Sequence, residues 1–146
     1  MENKTQIPIQ IQLRTHLEQD GQIEDHRFNE PGQLIQIGTT SYLRYEEHDR
    51  ETRTQTPVTF KLQEDGGIIL TRGQGQLRVQ FHFYLNQEVE MAYATPYGQI
   101  PLMIHTTRID IQRADDASSG RIEVDYQLLT QQQALGKYQL RLIFQR

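Results

Sequence analysis

Apolar and polar residues alternate with a period of two along most of this chain. Ile7, Ile9, Ile11 and Leu13 are interleaved with Pro8, Gln10, Gln12 and Arg14, the pattern of a strand with one buried and one wet face. The alternation recurs at Val58, Phe60 and Leu62, and at Leu77, Val79, Phe81, Phe83 and Leu85 against Arg78, Gln80, His82 and Tyr84. It continues at Ile100, Leu102 and Ile104, at Ile122, Val124, Tyr126 and Leu128, and at Tyr138, Leu140, Leu142 and Phe144. Less regular strands are expected over 22–28, 33–37, 40–47, 67–72 and 88–95, about ten strands in total.

Turn chemistry separates these segments. Asp20-Gly21, Pro31-Gly32, Asp65-Gly66-Gly67, Gly73-Gln74-Gly75, Ser118-Ser119-Gly120 and Gly136 all punctuate the pattern. Between the strands that end at Tyr93 and begin at Ile100, Thr95-Pro96-Tyr97-Gly98 predicts a tight reversal. Pro96 presets φ for the second turn position, and Gly98 can take a positive φ in a bulge. Pro101 falls on the outward phase, where its missing N–H requires a sheet edge or bulge. No segment has a helical period, and Gln131 to Leu135 could form one turn at most.

Many strands, short connections and no helix imply an antiparallel meander that pairs with another sheet or closes on itself. An open sheet of that size would leave two exposed edges and an uncovered apolar face. The expected fold is therefore all-β, a single antiparallel barrel of about 8–10 strands in one domain over residues 1–146. Barrels of this size are either filled by side chains or hold one small ligand.

Composition changes the picture only by exclusion. The 146 residues are 36% apolar and 23% charged, and 19 acidic residues against 15 basic ones give a net charge of -4 without segregation. Neither a nucleic-acid backbone nor an anionic membrane surface is an expected partner. The absence of cysteine excludes disulfides, thiolate catalysis and cysteine-ligated metals, and suits a reducing compartment. The segment MENKTQIPIQ has no charged and apolar signal pattern, and no apolar run reaches the roughly 20 residues of a membrane span. The cytoplasm is the expected location.

Strand phase selects the candidate site residues. Leu43, Tyr45 and Glu47 share one face, and Ile68, Leu70 and Arg72 share another, so an inward Leu43 brings Glu47 inward and an inward Leu70 brings Arg72. Since charged residues are rarely fully buried, the plainer expectation puts both near a barrel rim in contact with water. The sharper one is a hydrogen-bonded polar anchor within an apolar cavity. Tyr45, Tyr93, Tyr126 and Tyr138 fall on apolar faces, as core aromatics or as ligand contacts.

The histidines make no metal signature. His82 and His105 are on outward phases, and alternation splits Glu46 and His48 from Glu47 and Asp49. Ser41, Ser118 and Ser119 lack a nucleophile-elbow context, and GQGQ at 73–76 has no helix or lysine after it. Neither a cofactor, a metal nor catalysis is expected. The run from Arg44 to Arg53 carries both signs of charge, as a strand end passing into a solvated loop does.

The chain resembles the YwiB-like family of small bacterial proteins. The resemblance lies in Tyr45-Glu46-Glu47, Arg72-Gly73, Phe81, Tyr93 to Gly98, Thr106 to Ile109, and the alternation from Gly120 to Leu128. It implies a calycin-like barrel, akin in architecture to lipocalins, with no catalytic residues to carry over. Two functions follow as expectations. One is a binder of a small apolar or amphipathic ligand in the lumen, lined by Tyr45, Glu47, Arg72, Tyr93, Tyr126 and Tyr138. The alternative is an interaction or regulatory module using its outer surface, with a homodimer through an outer sheet face as a subsidiary form.

Overall fold

A computed structural model describes residues 4–131 and 133–146. Ten strands follow in chain order: β1 (Lys4–Gln19), β2 (Gln22–Ile37), β3 (Thr40–Asp49), β4 (Thr54–Leu62), β5 (Ile68–Arg72), β6 (Val79–Phe83), β7 (Glu88–Thr95), β8 (Gly98–Arg113), β9 (Gly120–Thr130) and β10 (Gln133–Gln145). They form one antiparallel sheet in the order β6-β5-β4-β3-β2-β1-β10-β9-β8-β7. The expected all-β barrel is therefore the observed architecture. Among the described residues no helix is long and apolar enough to cross a membrane.

The two edge strands, β6 and β7, have no ladder between them. Closure comes instead from the connection between them, where Leu85 bridges Thr106 of β8 in parallel fashion. Asn86 N–H donates to Thr106 O at 2.8 Å, and Thr106 N–H donates to Gln87 O at 3.4 Å. From this clasp the two strands splay apart, and the barrel is nearly closed.

Inward residues stack in layers set by register. Leu13, Leu142 and Ile122 pair across β1, β10 and β9; Thr15, Leu140 and Val124 form the next row, and Leu17, Tyr138 and Tyr126 the one beyond. Phe60, Phe83 and Phe144 are fully buried, as are Ile11, Leu43, Ile104 and Ile122. Each such side chain contributes about 1.5–3 kcal/mol by leaving water. The end near β3 is tied across the lumen. Arg113 Nη1 donates to Ser41 Oγ at 2.9 Å, and the Ser41 hydroxyl donates to Gln36 Oε1.

All five prolines obey the ladder. Pro96 sits in the β7–β8 turn, while Pro8, Pro31, Pro57 and Pro101 each lie where their strand has a registered partner on one side only. A missing N–H costs no ladder bond there. The Thr95–Gly98 reversal forms as the sequence predicts, with Gly98 at φ 125° and Thr95 Oγ1 donating to Gly98 O at 2.6 Å.

Some expected boundaries move. Pro31-Gly32 is no turn: it lies inside a continuous β2, because β1 pairs with that strand along its whole length. Gly32 is needed for close approach, since a Cβ there would sit 2.6 Å from Arg44 O and 2.8 Å from Ile11 Cδ1. Leu77 belongs to a 3-10 turn, Gly75–Leu77, and is exposed; Leu85 is exposed in the closing connection. Ile100 is exposed because β8 there extends past the end of β9. The run after Asp49 is a solvated turn, in which Asp49 Oδ1 accepts from Glu51 N–H at 2.9 Å. Gln131 is a turn residue and β10 begins at Gln133, so no helical turn forms, and Gln132 lies outside the described residues.

Two stability predictions follow from the packing. Gly32→Val should cost at least about 2 kcal/mol, because the carbonyl it strikes belongs to the β2–β3 ladder; an unchanged urea midpoint would show that the strands can separate freely. Thr106 Oγ1 is buried without a hydrogen-bond partner among the described residues. Thr106→Val should therefore raise Tm by about 2–4 °C for a gain of about 1 kcal/mol, whereas a fall of that size would mean the hydroxyl is satisfied.

Candidate functional site

The row Tyr45–Val58–Arg72 runs across β3, β4 and β5. Glu47 lies two residues beyond Tyr45 on the same face, where the long Arg72 side chain reaches it across β4. The consequence is a three-residue polar cluster inside the wall. Arg72 Nη2 pairs with Glu47 Oε1, and the Tyr45 hydroxyl donates to Glu47 Oε2 at 2.7 Å. Glu47 is 3% exposed and the Arg72 side chain 35%. The rim placement expected for both thus holds only for Arg72; Glu47 is buried because both its oxygens are occupied.

Beyond the cluster, toward the far end of the lumen, lies a cavity of about 300 Å3. Its apolar wall includes Leu17, Phe28, Leu70, Phe81, Leu128 and Leu140, and its polar groups come from Thr15, His26, Arg72, Tyr93, Tyr126 and Tyr138. Tyr126 and Tyr138, opposite each other in register, stack at 4.8 Å and 4°, and Phe83 tilts against Tyr126 at 4.7 Å. Burial pushes the phenols of Tyr126, Tyr138 and Tyr45 up, so all three stay protonated near neutral pH.

A second hollow of about 450 Å3 occupies the splay between β6 and β7, bordered by Val79 and Leu77 on one side and Ala94 and Pro96 on the other. Arg72, Phe81 and Tyr93 border both spaces. Tyr93 is 39% exposed, so it stands in the passage between them rather than in the core.

The structure brings Arg72, Tyr93, Tyr126 and Tyr138 to one cavity; Tyr45 and Glu47 stand behind Arg72 and do not line it. Sequence reasoning missed Leu17, Phe28, Phe81 and His26 as lining. The signal for Phe28 and His26 was the Asp20-Gly21 hairpin: a two-residue turn, here with φ 52° and 77°, sets Leu13 opposite Phe28 and Thr15 opposite His26. Among the described residues no group of three or more His, Asp or Glu is placed to hold a metal ion.

Residues 11–142 match the family described as "Domain of unknown function (DUF1934)". The chain belongs to the DUF1934 family. A solved relative in architecture is the ywiB protein from Bacillus subtilis, whose crystal structure superposes with a TM-score of 0.80 at 18% identity, covering 96% of this chain and 92% of that one. At that identity the likeness is one of fold, and it bears out the resemblance drawn from the sequence. No curated protein matches this DUF1934 chain.

The polar cluster makes an asymmetric prediction. Arg72→Met strands a buried carboxylate in the DUF1934 barrel and should cost about 3 kcal/mol at neutral pH. Glu47→Gln leaves a cation that can reach water, and should cost less. The Arg72→Met deficit should shrink as pH falls, because a carboxyl without its cation has a raised folded-state pKa and loses stability above its unfolded pKa, not below it. Parallel pH profiles for variant and parent would show that Glu47 is not held by Arg72.

Proposed function

We propose that this barrel is a cytoplasmic binding protein, not an enzyme, that holds a small apolar or amphipathic molecule at the open end of its lumen. The observation that carries this reading is the cavity of about 300 Å3, at the low end of the roughly 300–1,000 Å3 range of ligand pockets. Leucine and phenylalanine side chains make up half of its lining, and Arg72 and three tyrosines face the same space, so a ligand's body can be buried and its head oriented there. The rest of the interior is packed by Phe60, Phe144, Ile11 and Leu142, which confines the ligand to that end. Among its polar groups, the phenols of Tyr126 and Tyr138 are held in the protonated form and Arg72 is already paired, so none of these three serves as a general base near neutral pH.

Native mass spectrometry of the freshly purified chain tests the reading. A small non-covalent adduct should be retained by the parent and lost on Leu17→Trp, which fills the cavity while the fold is checked by circular dichroism. A parent that carries no adduct and whose Tm is unmoved by a panel of small amphipathic compounds would overturn it.

A further inference from the structure

We propose that the cavity selects uncharged amphipathic molecules over anionic ones, and that Glu47 determines this selection by neutralising Arg72 from behind. The inference rests on the binding reading above and names the chemical class of its ligand. An arginine at the edge of an apolar pocket would ordinarily recruit a carboxylate or phosphate. Here that role is taken from within the wall.

Glu47 Oε1 holds Arg72 Nη2, and Glu47 Oε2 is fixed by the Tyr45 hydroxyl at 2.7 Å. At 3% exposure the carboxylate has no route to water. An incoming anion could take the guanidinium only by stranding Glu47 unpaired in an apolar wall, or by sharing the arginine with a second negative charge close behind it. Either arrangement desolvates two anions against one cation.

An uncharged head leaves the pair intact. A carbonyl or hydroxyl can accept from the remaining Arg72 N–H groups and from the hydroxyls of Tyr126 and Tyr138, which make no hydrogen bond to other described residues. Those phenols bring no charge of their own. The imidazole at the cavity, His26, is exposed and faces Glu24 at 3.5 Å, so its charge when protonated is also matched, and Tyr93 adds a hydroxyl and no cation. The lining is net neutral, and the body of the ligand lies against Leu70, Phe81, Leu128 and Leu140.

Two isosteric pairs test the proposal on the full chain: phenylacetamide against phenylacetate, and hexanamide against hexanoate, titrated by saturation-transfer NMR at neutral pH. The parent should bind at least one amide about tenfold more tightly than its acid. Glu47→Gln unmasks Arg72, and should raise affinity for the acid about tenfold while its melting curve confirms the fold. If that variant does not fold, the comparison in the parent still decides. A parent that binds an acid as tightly as the amide, or more tightly, overturns the charge selection and leaves the binding reading standing. If no member of either pair binds the parent, the binding reading falls as well.

Discussion

A sheet of ten strands has two free edges, and in this chain they are brought together by backbone groups around a single residue. Thr106 accepts from Asn86 and donates to Gln87, while Leu85 bridges it in parallel fashion. Closure at this point converts a two-sided sheet into an inside and an outside. Everything else in the molecule presupposes that division. The filled lower lumen, the desolvated carboxylate of Glu47 and the aromatic stack of Tyr126 on Tyr138 exist only where water has been excluded. Thr106 is itself wholly buried, with its side-chain oxygen lacking a partner among the described residues, so the clasp is made at some local cost in free energy.

The two ends of the barrel solve the problem of a finite core differently. At one end Arg113 spans the lumen to Ser41, and burial draws its guanidinium pKa down, as expected for a cation used as a plug. At the other end the walls carry aromatic rings in place of a plug, and a cavity remains.

Period-two patterning made the fold legible, because each inward set in the sequence is an inward set in the barrel wherever a strand has partners on both sides. Leu43, Tyr45 and Glu47 followed their phase even where the chemistry of a carboxylate argued for water. Phase failed where pairing ran out. Leu77, Leu85 and Ile100 have the right parity but lie past a strand's end or in a connection, and no local pattern reveals where a neighbour stops. The Pro31-Gly32 break misled for a related reason: its turn chemistry is overridden by the long β1 partner beside it. The stacking of Tyr126 on Tyr138 depends on the register of the β9–β10 ladder, and the place of Phe28 beside them on two ladders more, which is why the tyrosines were visible individually but their contacts were not.

The splay between β6 and β7 also bears on time. In a fully hydrogen-bonded barrel, a molecule can reach the interior only after ladder bonds break, a local unfolding event on microsecond or slower timescales. Here the hollow beside Val79 and Ala94 meets the inner cavity at Arg72, Phe81 and Tyr93. Passage between them crosses side chains and no ladder. Rotamer motion of a part-exposed tyrosine is fast, on the scale of picoseconds to nanoseconds, so opening the lumen at this point requires no ladder bond to break.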